Sequence, residues 1–218
     1  WPGCKAVAPV RVVDLPDGLR PIRPIPSDHK ATAEFLTRCC QILIAAEADL
    51  NALDAKSGDG DTGSTLAGAA RALIGALDRL PLADHTQLFR AIGQELTQTM
   101  GGSSGVLMAI FFTAAGDAAS SGLGMVAALK EGLARMQKIG GAQPGDRTMV
   151  DALKPALDAL DQQGLAEAAK AARQGAAHTA TITKAKAGRA SYISAEQLKG
   201  NVDPGAEAVA RLFEQLAP

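Results

Sequence analysis

A chain of 218 residues is long enough for one domain with an appended arm, and long enough to bury a sizeable core. Its 22 lysines plus arginines face 23 aspartates plus glutamates, a formal charge of -1, so bulk electrostatics give no reason to expect nucleic acid or an anionic membrane as partner. Apolar residues make up 47% and aromatics only 3%, a poor supply for a β-sandwich and a good one for helices packed through Ala and Leu, so the fold class expected is all-α.

Pro2, Pro9, Pro16, Pro21, Pro24 and Pro26 crowd residues 1–27, which reads as a proline-rich linker arm in which only Val10 to Val13 has strand character. The chain starts at Trp1 with no charged segment ahead of an apolar one, and is read as a piece of a longer protein. Residues 28–218 form the helical domain. Phe35, Cys39, Ile42 and Ala46, with Leu36, Leu43 and Leu50 beside them, predict a helix from Asp28 to about Leu53. A glycine-rich turn, Gly58 to Gly63, leads to a second helix carrying Leu66, Ala69, Ala70, Leu73 and Leu77. Six more helices are predicted near 85–100, 103–119, 123–138, 147–162, 165–186 and 205–217, separated by glycines. Eight helices with short loops favour antiparallel neighbours, as in an up-and-down bundle or a closed barrel. The longest apolar run, Val106 to Ala115, covers ~15 Å as a helix and is too short to span a bilayer. Cys4, Cys39 and Cys40 are odd in number and lack metal-ligand spacing, which predicts reduced thiols and a cytoplasmic protein.

The chemistry concentrates in Leu53-Asp54-Ala55-Lys56-Ser57-Gly58-Asp59-Gly60-Asp61-Thr62-Gly63-Ser64-Thr65. Glycines let Asp54, Asp59 and Asp61 converge, and three converging carboxylates repel one another without a hard cation such as Mg²⁺. Gly58 to Gly63 formally matches a dinucleotide fingerprint, but a helix precedes it and aspartates occupy the approach. An EF-hand loop is excluded because its twelfth position is Ala70. Gly101-Gly102-Ser103-Ser104-Gly105 opens a helix and offers amides and hydroxyls to a phosphate, without the lysine of a P-loop. Ser64 and Thr65 make a second such helix start. Gly145-Asp146-Arg147-Thr148-Met149 begins a later helix, and Lys184, Lys186 and Arg189 form a basic cluster in which Arg189 is the sharper phosphate candidate. His29, His85 and His178 form no ligand or triad pattern.

These motifs, in this order, resemble the nucleotide-binding L domain of dihydroxyacetone (glycerone) kinases over about residues 30–217, with Gly188-Arg189-Ala190-Ser191-Tyr192 and Asp203-Pro204-Gly205 completing the set. The resemblance implies a closed barrel of eight antiparallel helices with the nucleotide, ATP or ADP, at one end. It implies two Mg²⁺ on Asp54, Asp59 and Asp61, phosphates on Thr62, Gly63, Ser64, Thr65, Ser103 and Ser104, and the nucleoside beside Gly140, Thr148, Met149, Arg189, Asp203, Pro204 and Gly205. It also implies a triose-binding K domain as partner, on the same or another chain, and a homodimer formed through the full-length kinase. Subunits of the family that keep ADP and are recharged by a phosphotransferase-system protein commonly carry His where this chain has Thr62. Threonine there resembles the ATP-using kinases. The helical-barrel domain of fatty-acid kinase and a non-catalytic lipid or nucleotide module stay open as alternatives.

Overall fold

The computed structural model describes residues 24–218. The expected arm, with Val10 to Val13 and Cys4, lies outside the described residues except for its last four positions. In chain order the elements are α1 (Lys30–Ala45), α2 (Glu47–Asp54), α3 (Thr62–Gly75), a 3-10 turn (Leu77–Arg79), α4 (His85–Thr99), α5 (Gly102–Ser120), α6 (Met125–Gly140), α7 (Val150–Gln163), α8 (Leu165–Thr179), a second 3-10 turn (Arg189–Tyr192), α9 (Ala195–Leu198) and α10 (Pro204–Leu216). Among the described residues no strand forms. A single bridge there joins Ser27 to Pro81, and the Ser27 amide donates to the Leu80 carbonyl at 3.2 Å.

Among the described residues, eight long helices close into a ring. α3 packs on α1, each of α4 to α8 packs on the helix before it, and α10 packs on both α8 and α1. The links are short, a single residue (Gly164) between α7 and α8, so neighbouring staves run antiparallel. The long 180–203 connection keeps the alternation, since the Asp203 amide before α10 donates to Thr179 Oγ1 at the end of α8 at 2.9 Å.

Two sequence boundaries need correction. The first predicted helix breaks at Ala46 into α1 and α2, and the break turns α2 onto α3 and α10. Helix α8 stops at Thr179, seven residues before the expected Lys186, where β-branched Thr179, Thr181, Ile182 and Thr183 lower helix propensity and Thr179 is held by Asp203.

Two large clusters with shared walls make up most of the core among the described residues. Phe111, Leu133, Met136, Leu153, Leu157 and Phe213 centre one, and Cys40, Leu73, Leu88, Ile92 and Leu96 centre the other, with Met108 and Phe112 packed against both. Phe112 meets Phe111 edge-on with ring centres 5.0 Å apart. Small residues bring the staves close: a Cβ on Gly132 would collide with the Phe111 carbonyl oxygen, and one on Gly175 with that of Asp151. Burial pushes the Cys39 thiol up to about 11 and Cys40 to about 12, which suits packing and disfavours thiolate chemistry. Helix α5 runs to 19 residues and is apolar and long enough to cross a bilayer, which the shorter apolar run did not suggest. Its packing between α4 and α6 makes it a stave of the ring.

Ion pairs seal the closing seam. Glu207 on α10 is 7% exposed and accepts from Arg173 of α8 at 2.5 Å and from Arg211 at 2.8 Å; Arg211 also reaches Asp49 of α2 at 2.7 Å, and Arg173 reaches Glu214. Glu207→Ala removes the carboxylate shared by two partly exposed guanidinium groups, each of which keeps one other carboxylate, so it is expected to lower unfolding free energy by about 1.5 kcal/mol, whereas Glu214→Ala at the exposed rim should cost less than about 1 kcal/mol. Urea denaturation of both variants checks the difference; equal effects would mean that the seam is not held by Glu207.

Candidate metal and phosphate site

Alternation around the ring places the first residues of α3, α5, α7 and α10 at one end, together with the last residues of α2, α4, α6 and α8. Every motif singled out in the sequence therefore meets at that end. Asp54 closes α2 and Asp61 precedes α3, so the turn between them presents Asp54, Asp59 and Asp61 with carboxylate oxygens all within 4.8 Å of one another.

Asp54 organises this turn. It is 7% exposed, and its Oδ2 accepts the amides of Asp61 at 2.9 Å and Thr62 at 3.1 Å. A Cβ on Gly58 would collide with Asp54 Oδ1, and one on Gly63 with the Glu47 carbonyl oxygen, so both glycines are required by close approach. Ser57 Oγ, in a residue 2% exposed, has no hydrogen-bond partner among the described residues.

The two expected phosphate cradles differ. Around α3 the donors are engaged: Ser64 N donates to Asn51 Oδ1 at 3.0 Å, Asn51 Nδ2 donates to Ser64 Oγ at 2.9 Å, and Ser64 Oγ donates to Glu47 at 3.2 Å, while the Thr65 amide bonds to the Asp61 carbonyl. Glu47 is held below its usual range chiefly by the Arg71 guanidinium. Around α5, Gly101 provides no side-chain cap and Ser103 and Ser104 are exposed, so that N-terminus presents its amides outward. A Cβ on Gly105 would strike the Met100 carbonyl oxygen, and its absence lets the loop fold this tightly.

Of the residues expected beside the nucleoside, Thr148-Met149 and Asp203-Gly205 come together. A Cβ on Gly205 would lie 3.3 Å from that of Met149, and the Lys186 amide donates to the Asp146 carbonyl at 3.3 Å, joining the 141–149, 180–189 and 199–205 segments. Gly140, at the end of α6, packs against Leu107 of α5. Arg189 stands in the second 3-10 turn, and its side chain lies outside the described residues. Asp203 caps α10 through the Ala206 amide at 2.8 Å, with Pro204 in the first turn.

Sequence reasoning missed the roles of four residues here. Asn51 and Glu47 lie on α2 where they anchor Ser64, and their signal was only polar positions one and two turns before Asp54. Asp151 accepts Gly145 N at 2.6 Å and Thr148 N at 2.8 Å, while Thr148 Oγ1 accepts from Val150 N at 3.2 Å. Thr148-x-x-Asp151 is thus a capping box legible in the sequence. Arg147, 1% exposed, has no sequence signal for its burial. Asp146 is held below its usual range by the Gln143 amide and by Lys186, 3.0 Å away.

The DAK2 domain family profile matches residues 56–218. The chain belongs to the DAK2 domain family. The chain is 53% identical over 196 residues to dihydroxyacetone kinase of Citrobacter freundii, covering 88% of this chain and 36% of that protein. It is 42% identical over 205 residues to triokinase/FMN cyclase of Homo sapiens, covering 87% and 35%. The crystal structure of the native C. freundii kinase superposes with a TM-score of 0.81 at 45% identity, over 97% of this chain and 39% of that one. The same kinase in complex with AMP-PNP and Mg²⁺ superposes at 0.79 with 44% identity, over 97% and 38%. The chain thus spans about a third of the length of the curated relatives it matches.

Burial pushes Asp203 up to about 6, against the Ala206 amide and the Arg147 charge that favour its ionised form. A carboxyl raised on folding contributes stability that is fully present below its unfolded value, 3.8, and is lost as pH rises through about 6. Asp203→Asn removes that loss. Denaturant melts roughly one pH unit below and above the folded value should show wild type losing stability between them and the variant losing less. Parallel losses would show that Asp203 does not titrate there.

Proposed function

We propose that this DAK2 domain binds Mg-ATP at the ring end and donates the γ-phosphate to a hydroxyl of dihydroxyacetone, or a related triose, held by a K domain of the same or a partner chain. The convergence of Asp54, Asp59 and Asp61 within 4.8 Å, beside the outward-facing amides of α5, carries this reading. The relatives' names and the neighbour's AMP-PNP and Mg²⁺ support it.

An all-oxygen donor set suits a hard dication, and the orphaned Ser57 hydroxyl adds a polar atom to the same turn. Asp54, Asp59 and Asp61 would hold two Mg²⁺. Bound there, the ions offset charge on the phosphates and on the group in transfer. Asp54 fixes the turn through one oxygen, which sets the other two carboxylates in place. The α5 amides, Ser103 and Ser104 bind phosphate oxygens. On the α3 side the contribution is mainly the carboxylates, because Thr62, Ser64 and Thr65 amides already have acceptors; Gly63 there serves the approach to α2. Gly140, Thr148, Met149, Arg189, Asp203, Pro204 and Gly205 line the base and ribose. With Thr62 in place of the carrier subunits' His, ATP exchanges between turnovers. A homodimer formed through the full-length kinase and a cytoplasmic location belong to the same reading.

Calorimetry tests the metal half: Asp59→Ala or Asp61→Ala, or chelator with wild type, should weaken ATP binding by at least about tenfold. Equal affinity under all these conditions would leave the aspartates as an ordinary turn.

The division of labour gives a second expectation. His29 and His85 sit at the first turns of α1 and α4, at the ring end opposite the aspartates, and the His178 ring is within 3.3 Å of Thr181 Oγ1. The two at the far end cannot reach a phosphate held beside the aspartates. Transfer needs both reactants held in line, where effective molarities reach about 10⁵ M or more. This chain alone should bind Mg-ATP without phosphorylating dihydroxyacetone, and a K domain added in trans should restore turnover. Robust turnover by the chain alone, abolished by Asp59→Ala, would refute that.

A further inference from the structure

Arg147 is an anomaly among the described residues. Its φ of 62° is the left-handed region, where Gly or Asn would rest without strain, and it is the non-glycine residue there. Its side chain is 1% exposed, yet Nε and Nη1 have no hydrogen-bond partner among the described residues. A strained backbone and unpaired buried donors are both unfavourable, so they persist only where the surroundings impose them and something is gained.

What the side chain does is join two segments. Arg147 Nη2 donates to the Asn201 carbonyl at 2.9 Å, across 54 residues of sequence. On its own segment, Asp151 grips the amides of Gly145 and Thr148 on either side of it. On the other, the chain passes from Asn201 to Asp203, whose amide is fixed by Thr179 and whose carboxylate caps α10. Asp203 is close enough for its charge to act on the guanidinium. The pairs joined in this way, Thr148-Met149 and Asp203-Gly205, already touch through Met149 and Gly205.

We infer that Arg147 is a positioning residue for the nucleoside half of the site: buried out of reach of any ligand, its guanidinium ties the 145–149 segment to the 201–205 segment and so sets the spacing of the walls around base and ribose. This rests on the nucleotide-binding reading above. It separates Arg147 from the aspartates, which serve the phosphates and metal.

The test compares Mg-ATP with Mg-tripolyphosphate, which carries the phosphates without a nucleoside, by calorimetry on this chain. Arg147→Asn suits the left-handed backbone and removes the guanidinium. It should weaken ATP by about tenfold or more and leave tripolyphosphate within about twofold, since only preorganisation of the nucleoside walls is lost. Arg147→Lys keeps the charge and loses the planar fork, and should fall between the two. If Arg147→Asn does not fold, Asp151→Asn loosens the same segment from its other side and is expected to show the same selective loss. Equal losses for both ligands, or a lowered melting temperature with unchanged ATP affinity, would overturn the inference. Wild type that binds ATP and has no affinity for tripolyphosphate would also count against it, because the two halves would not act separately. Wild type that binds neither ligand would instead overturn the nucleotide reading itself.

Discussion

Parity governs this protein. In a closed ring with an even number of staves and short links, every second helix must start at the same end. Here α3, α5, α7 and α10 do so. Each helix N-terminus carries unpaired amides and the positive end of a dipole, an effect of about 0.3–1 kcal/mol on a nearby anion. Side chains of the protein itself answer three of the four, and the start of α5 is left as the anion-receptive point on a chain of formal charge -1. Bulk charge gave no reason to look for an anionic partner, because the dipole end of one helix is a local property that a count of charged residues does not register.

The buried polar residues follow from the same geometry. Asp54, Ser57, Asp146, Arg147, Asp151, Thr179 and Asp203 all belong to loops or helix ends at that face, and Glu207 lies one turn into α10 beside it. The opposite end of the ring contributes none among the described residues. Three of these aspartates accept backbone amides at helix starts: Asp54 before α3, Asp151 in the capping box of α7, and Asp203 before α10. Helix α5 is the exception, opened by Gly101 without a side-chain acceptor. An N-terminus left uncapped by its own chain is the one best able to accept a ligand's oxygen.

The fold was largely legible because its signal is periodic and local. Apolar spacing located all eight staves, and glycines marked most of the links. The break at Ala46 left no trace, since Ala is a strong helix former and the turn is imposed by packing of α2 on α3 and α10. The early end of α8 could have been read from its β-branched run, but the hydrogen bond from the Asp203 amide to Thr179 is tertiary. In the site, convergence of the three aspartates followed from glycine spacing. That Ser64 would be committed to Asn51 could not, because the partner lies 13 residues back on another helix. Arg147 was invisible for a similar reason: an arginine in a turn reads as exposed, and only the ring shows that the turn is enclosed.

Asp54 differs from its two neighbours, and the difference explains how three carboxylates can share a small volume. Asp59 and Asp61 are exposed, so water moderates their repulsion. Asp54 is buried and would pay a heavy desolvation cost if its charge went unanswered. Two amides at 2.9 and 3.1 Å answer it through a single oxygen, Oδ2. Those same amides belong to Asp61 and Thr62, so the bonds that stabilise the buried charge also fix the chain that presents the neighbouring carboxylate. Structural and chemical roles are thus divided within one side chain: Oδ2 builds the turn, and Oδ1 is left on the side where Gly58, lacking a Cβ, gives it room. A cation arriving at this turn would meet a ligand set whose geometry is already fixed by helix capping.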